Sequence, residues 1–299
     1  MTRLADVVSF NQATAEKTPT LTTLAACERA GITRFAPWRH GFIDGDATRT
    51  RRALNDHGLR ASSLCRGGFF TGTRPDQVAH RDNCTAIEEA AILGAPVLVL
   101  VCGPVLEAGT AEAIARIRDG IERLIPTARE HRVTLGVEPF HPMFAAERSA
   151  LVRLDQATDL VASIADPAVG VVADSYHLWW DPDLGAALQR AAPFLALAHI
   201  ADWLVPTVDL VAGRGLPGDG VIDLAGFVDR LRSCGYRGPF EAEILNRGLW
   251  DRPIDDLVGD VATRMRSLVG AASGGRDARV LTGAAEGQPV AEEARCRQS

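Results

Sequence analysis

Short apolar runs of strand length alternate with longer amphipathic segments eight times along this chain, and no other feature constrains its fold as tightly. Strands are expected near 7–10, 32–37, 60–64, 97–101, 133–138, 169–174, 196–200 and 240–244. Helices are expected near 21–30, 48–56, 78–93, 111–130, 151–165, 184–191, 224–234 and 254–269. Runs such as VLVLV, VGVV and LALA are apolar without alternation, as strands are when both faces of a parallel sheet are covered. A doubly wound sheet would share that pattern. The first strand, however, continues as VVSFNQATA with no glycine fingerprint, and polar residues close many strands, so the expected fold is an α/β protein of the (β/α)8 TIM barrel type.

Such a barrel needs about 250 residues, and residues 1–270 supply them as one catalytic domain. From about 271 to 299 the chain turns to Gly, Ala, Glu, Arg and Gln with little periodicity, which is expected to be a disordered tail. A net charge of −6 with Lys and Arg scattered through the chain speaks against nucleic acid as a partner, because neutralising phosphates takes a concentrated basic face. No run approaches the roughly 18 apolar residues of a membrane span, and the opening MTRLADVVSF lacks a signal-peptide core, so a cytoplasmic protein without membrane attachment is expected. The six cysteines are widely spaced with no CxxC pair and are read as reduced core fillers.

The chemistry concentrates at four strand ends: GVEPFHP offers Glu138, VVADSYH offers Asp174, AHIADW offers His199 and FEAEIL offers Glu243. In a closed barrel, consecutive strands release their C-terminal residues toward one mouth, so four ligands far apart in sequence can meet. Each alone also has a plain structural reading, as a helix cap, a loop hydrogen-bonder or a core histidine. Together they place several buried charges that one shared cation would satisfy. Three carboxylates and one imidazole suit Mn²⁺ best, with Mg²⁺ or Co²⁺ as alternatives, and leave positions for substrate oxygens. Glu241, two residues before Glu243, is expected to point to the other side of the strand, and Glu241→Gln is expected to do little.

The order of these motifs, together with DSYHLWWDP, GRGLPGDGVIDL and GYRGPFEAEIL, resembles the sugar phosphate isomerase/epimerase family, the xylose isomerase-like barrels. That family includes ketose 3-epimerases and inosose dehydratase-like enzymes. The resemblance runs from about 4 to 269 and is specific mainly between 133 and 245. It implies that Glu138, Asp174, His199 and Glu243 bind the catalytic metal and that His177 faces the substrate or the surroundings of the metal. Trp38, His141, Asp202 and Arg214 are candidates for substrate contact, Asp202 equally for capping the next segment.

The reaction expected of this set is proton abstraction beside a carbonyl, through a metal-stabilised enediolate with Glu138 and Glu243 as acid/base pair. That is a divalent-metal-dependent isomerase or epimerase acting on a sugar or keto-sugar. The alternative is a lyase or dehydratase that uses the same enolate to expel a β-leaving group from a keto-sugar, keto-glycoside or inosose, with His141 or His177 as acid. FHPMFAAERSA after Glu138 and the double tryptophan after His177 depart from ketose epimerase signatures, so substrate does not transfer by analogy. A phosphodiesterase such as endonuclease IV would need more histidines and a basic face. The expected partner is a small carbohydrate; barrels of this kind often pair as homo-oligomers, and no segment here names an interface.

Overall fold

Eight strand positions wrap into a nearly closed parallel barrel, with the third position split in two. The computed structural model describes residues 7–271. Its strands are β1 (Val8–Asn11), β2 (Arg34–Ala36), β3 (Arg60–Ala61), β4 (Leu64–Gly68), β5 (Val97–Val101), β6 (Thr134–Val137), β7 (Val169–Asp174), β8 (Leu195–Ile200), β9 (Asp202–Trp203), β10 (Arg214–Gly215) and β11 (Phe240–Ala242). The barrel order is β3-β2-β1-β11-β8-β7-β6-β5-β4, and every pair in it is parallel. β3 and β4 are the two pieces of the strand expected over 60–64; one pairs with β2 and the other with β5. The sequence hid the second piece because it ends in Gly67 and Gly68, which carry no strand preference. Gly68 has φ +103°, and a Cβ there would lie 2.1 Å from the Val101 carbonyl oxygen, so only glycine lets the two strand ends approach.

Helices α1 (Thr20–Arg29), α2 (Ala47–Asp56), α3 (Asp76–Leu93), α4 (Thr110–His131), α5 (Leu154–Ile164), α7 (Leu184–Ala191), α8 (Leu224–Ser233) and α9 (Ile254–Ala271) cover the outside of the barrel, close to their expected bounds. In α4 the buried residues Ala113, Ile117, Ile121, Leu124 and Ala128 recur at three- and four-residue steps, the spacing that puts them on one stripe. Asp46 caps α2 by accepting hydrogen bonds from the Thr48 and Arg49 amides. Two small elements at the mouth were not legible in the sequence: α6 (Ser175–Leu178), which follows β7, and the antiparallel pair β9 and β10. Residues from 272 onward, including most of the expected tail and Cys296, lie outside the described residues. Among the described residues the five cysteines are free, and no helix is long and apolar enough to cross a membrane.

The two-residue period of a strand sorts the wall into two surfaces. Val8, Phe10, Leu98, Leu100, Leu135, Val137, Val171, Ala173, Ala198, Ile200, Phe240 and Ala242 join the large core between sheet and helices. The alternate positions face inward, where Cys65, Val97, Val99, Val172 and Leu197 form a separate small cluster. The same inward alternation carries Asn11, Glu138, Asp174, His199 and Glu243 to the top of the barrel. Gly136 is part of this packing, since a Cβ there would come within 2.8 Å of both Val97 and Val172. Glu241 shares this inward face with Glu243, because residues two apart lie on the same side of a strand. The expectation that it points away is therefore wrong: it is fully buried, one step deeper in the barrel.

Candidate metal centre

Parallel register sets Asp174 beside His199, and His199 beside Glu241. Glu138 and Glu243 each follow the last paired residue of β6 and β11. The barrel thus brings Glu138, Asp174, His199 and Glu243 together, with one ligand atom from each within 4.8 Å of all the others, and all four are buried. His199 Nδ1 lies 2.9 Å from Glu138 Oε1 and 3.6 Å from Glu243 Oε2. Asp174 also caps α6, where its Oδ1 accepts the Tyr176 amide at 2.8 Å.

The electrostatics of the cluster favour a cation. Burial above all, with Glu243 and Asp174 adding to it against the pull of His199, pushes Glu138 up to about 7. Burial works to lower the pKa of His199, yet Glu243, Glu138 and Glu241 outweigh it and hold the imidazole well above its usual value. A proton on His199 and the guanidinium of Arg214 are what the cluster itself supplies against its carboxylates. A divalent cation seated among the four ligand atoms would offset the remaining charge and displace the His199 proton. Oxygen-rich donors with one imidazole are the right chemistry for such an ion.

Arg214 is buried and spoken for: Nη1 donates to Asp174 Oδ2 at 3.1 Å, to Glu243 Oε2 at 3.0 Å and to the Glu243 carbonyl at 3.1 Å. Its guanidinium carbon sits 4.6 Å from the Tyr176 ring centroid. His177 lies 3.6 Å from Asp174 and stacks on Phe140 with centroids 4.3 Å apart. Burial, against the pull of Asp174, pushes it down to about 3, so it is neutral, and its Nδ1 has no partner among the described residues. Above the cluster is a cavity of about 240 Å³, whose lining includes Trp38, Arg66, Phe140, Arg148, His177 and Arg214.

Two candidates for substrate contact stand elsewhere. His141 does not line this cavity; it accepts the Met143 amide and packs against Trp180 and Trp203. Asp202 is buried outside it, where Oδ1 accepts the Trp203 and Ile222 amides and Oδ2 accepts those of Gly218 and Gly220, all between 2.9 and 3.0 Å. Four backbone donors leave it no free lone pair directed at a substrate, so of its two readings the structure places it as the cap that folds the glycine-rich loop. Asp202→Asn turns one acceptor into a donor facing those amides. It is expected to cost about 2 kcal/mol in urea unfolding, and an unchanged midpoint would refute this role.

Sequence reading missed Asn11, at the end of β1. Its Nδ2 donates to Glu241 Oε2 and Glu243 Oε1, both at 3.4 Å, and its Oδ1 accepts from Trp38 Nε1 at 2.8 Å. The polar end of an apolar first strand was the available signal. It misplaced Glu241, whose Oε2 lies 3.3 Å from His199 Nε2, out of line for a hydrogen bond, and accepts from Ser63 Oγ at 3.1 Å.

Comparison with known proteins agrees with this architecture. The family model described as xylose isomerase-like TIM barrel matches residues 24–268. A crystal structure of a Sinorhizobium meliloti protein is similar at 38% identity and a TM-score of 0.84, over 88% of this chain and 98% of that one. The 3-dehydroshikimate dehydratase of Pseudomonas aeruginosa is 29% identical over 161 residues, 52% of this chain and 24% of the dehydratase; the chain thus spans about a quarter of that relative's length. The L-ribulose-5-phosphate 3-epimerase UlaE of Escherichia coli K12 is 25% identical over 220 residues, 70% of this chain and 72% of the epimerase.

Proposed function

This chain belongs to the xylose isomerase-like TIM barrel family, and from that premise we propose that it is a divalent-metal-dependent isomerase or epimerase of a sugar or keto-sugar. The observation that carries the reading is the convergence of three buried carboxylates and one imidazole beneath a cavity sized for a small molecule. Glu138, Asp174, His199 and Glu243 would hold the ion, with Mn²⁺ the best match and Mg²⁺ or Co²⁺ suited to the same donors. When bound, it supplies a positive charge that polarises a substrate carbonyl and the hydroxyl next to it.

The chain's own residues then handle the proton. In the barrel order β11-β8-β7-β6, Glu243 and Glu138 enter from the outer two strands, with His199 and Asp174 between them. That separation suits one carboxylate to remove the proton from the carbon beside the carbonyl and the other to deliver a proton to the opposite face, which inverts the centre. Return to the neighbouring carbon, with exchange between the two oxygens, gives aldose–ketose isomerisation instead. Arg214 fixes Glu243 and Asp174, and Phe140 and Phe144 limit water around the reacting carbon.

A second reading is a lyase, favoured by the similarity to 3-dehydroshikimate dehydratases and by His177, neutral and facing the cavity with an unpartnered Nδ1. There the deprotonated carbon would expel a β-hydroxyl, which would leave as water by taking the proton back from the carboxylate that removed it, with His177 hydrogen-bonded to the departing oxygen.

The test is elemental analysis of the purified protein, then incubation with Mn²⁺ and a panel of ketoses, 3-keto-sugars and inososes in D₂O. Deuterium at the α-carbon of an otherwise intact sugar is the expected result. Loss of water or of an aglycone would assign the lyase, and a protein that takes up no divalent ion would overturn both.

A further inference from the structure

Two arginines line the cavity without a role in the chemistry above. Arg66, in β4, is held between two aromatic faces, its guanidinium carbon 5.6 Å from the Trp38 ring centroid and 4.9 Å from that of Phe69. Arg148, after the short helical turn Pro142–Phe144, lines the same cavity and is half-buried. Arg214 on that lining is ion-paired through its Nη1 to both Asp174 and Glu243. Among the described residues, by contrast, neither Arg66 nor Arg148 has a carboxylate within ion-pair distance or a hydrogen bond to its guanidinium.

We infer that Arg66 and Arg148 form an oxyanion-binding end of this cavity, so that the substrate is an acidic carbohydrate carrying a carboxylate or a phosphate ester. The inference rests on the proposed sugar chemistry for the rest of the molecule. Its physical basis is that partly buried, unpaired guanidiniums are costly unless an anion completes them, and their planar donor pairs match carboxylate and phosphate oxygens. Burial and the neighbouring Arg148 both lower the pKa of Arg66, so the two cations are close enough to repel, and an anion between them relieves that. The cavity then has two chemical ends, acids that seat a cation and arginines that seat an anion. A substrate bridging them would be oriented before any proton moves.

The test is equilibrium binding to the full chain, by calorimetry, with and without Mn²⁺. The probes are D-gluconate, its neutral counterpart D-sorbitol, and D-sorbitol 6-phosphate. At least one anionic probe is expected to bind about tenfold or more tighter than sorbitol. That preference should disappear in Arg66→Gln and in Arg148→Gln and persist in Arg118→Gln, a surface control. Gluconate as the tighter anion identifies a carboxylate end, and sorbitol 6-phosphate a phosphate end. No preference for either anion, or a preference that survives both substitutions, overturns the inference. Because binding needs no turnover, the two readings separate. A protein that binds Mn²⁺ but ignores charge on the probe refutes only the anion site, whereas one that prefers anions but binds no Mn²⁺ refutes only the proposed function.

Discussion

Glu243→Gln is expected to lower turnover by about 10²–10⁴-fold at saturating Mn²⁺, on whichever substrate the D₂O screen identifies, while the protein stays folded. The carboxylate is one of the two proposed proton carriers, and an amide cannot take up a proton at neutral pH. The fold should tolerate the change because the Gln carbonyl oxygen can still accept from Arg214 Nη1, now 3.0 Å from Oε2, and Arg214 keeps Asp174 at 3.1 Å. Removing one negative charge from a crowded acid cluster also relieves repulsion with Glu138, a contributor to that residue's raised pKa. Thermal unfolding within a few degrees of the parent, with kcat collapsed, is the expected pair of results. Turnover within threefold of the parent would remove Glu243 from the acid/base pair.

Glu241→Gln is expected to weaken Mn²⁺ binding about 10–100-fold, contrary to what the sequence alone suggested. The Glu241 carboxylate lies 3.3 Å from the ring nitrogen of His199 that faces away from the cluster, and Ser63 and Asn11 hold it there. A negative charge behind a histidine ligand orients the ring and strengthens its basicity toward the ion, and the isosteric amide removes that charge without opening a cavity. Glu241 is therefore a positioning residue, and its signature differs from that of Glu243. Added Mn²⁺ should restore most of the kcat of Glu241→Gln but none of that of Glu243→Gln. A Mn²⁺ dissociation constant unchanged in Glu241→Gln would show that the carboxylate serves only the barrel's packing.

The contrast between these two glutamates marks where sequence reasoning ends. The residues at positions 241 and 243 were both visible as acids in an apolar strand, FEAEIL, and the pleat puts both inside. What they do there depends on depth. Glu243 stands at the level of the cavity, whereas Glu241 stands beside His199 in the strand pairing. Depth is set by how neighbouring strands are staggered around the barrel, which no single strand encodes.

The alternation of strands and helices, their bounds to within a few residues, and the polar strand ends were determined by the sequence itself, because each rests on periodicity and on contacts between near neighbours in the chain. Only the second piece of the third strand escaped, because the glycines at its end carry no strand signal. Tertiary structure alone decided that Asn11 meets Glu243, 232 positions away, because the pairing of β1 with β11 closes the barrel. It alone turned Asp202 toward four backbone amides, paired Arg214 with two acids, and left Arg66 and Arg148 lining a cavity with no carboxylate partner among the described residues. Whether a charged side chain finds a partner is a matter of distances in space, and those exist only once every strand has taken its place in the wall.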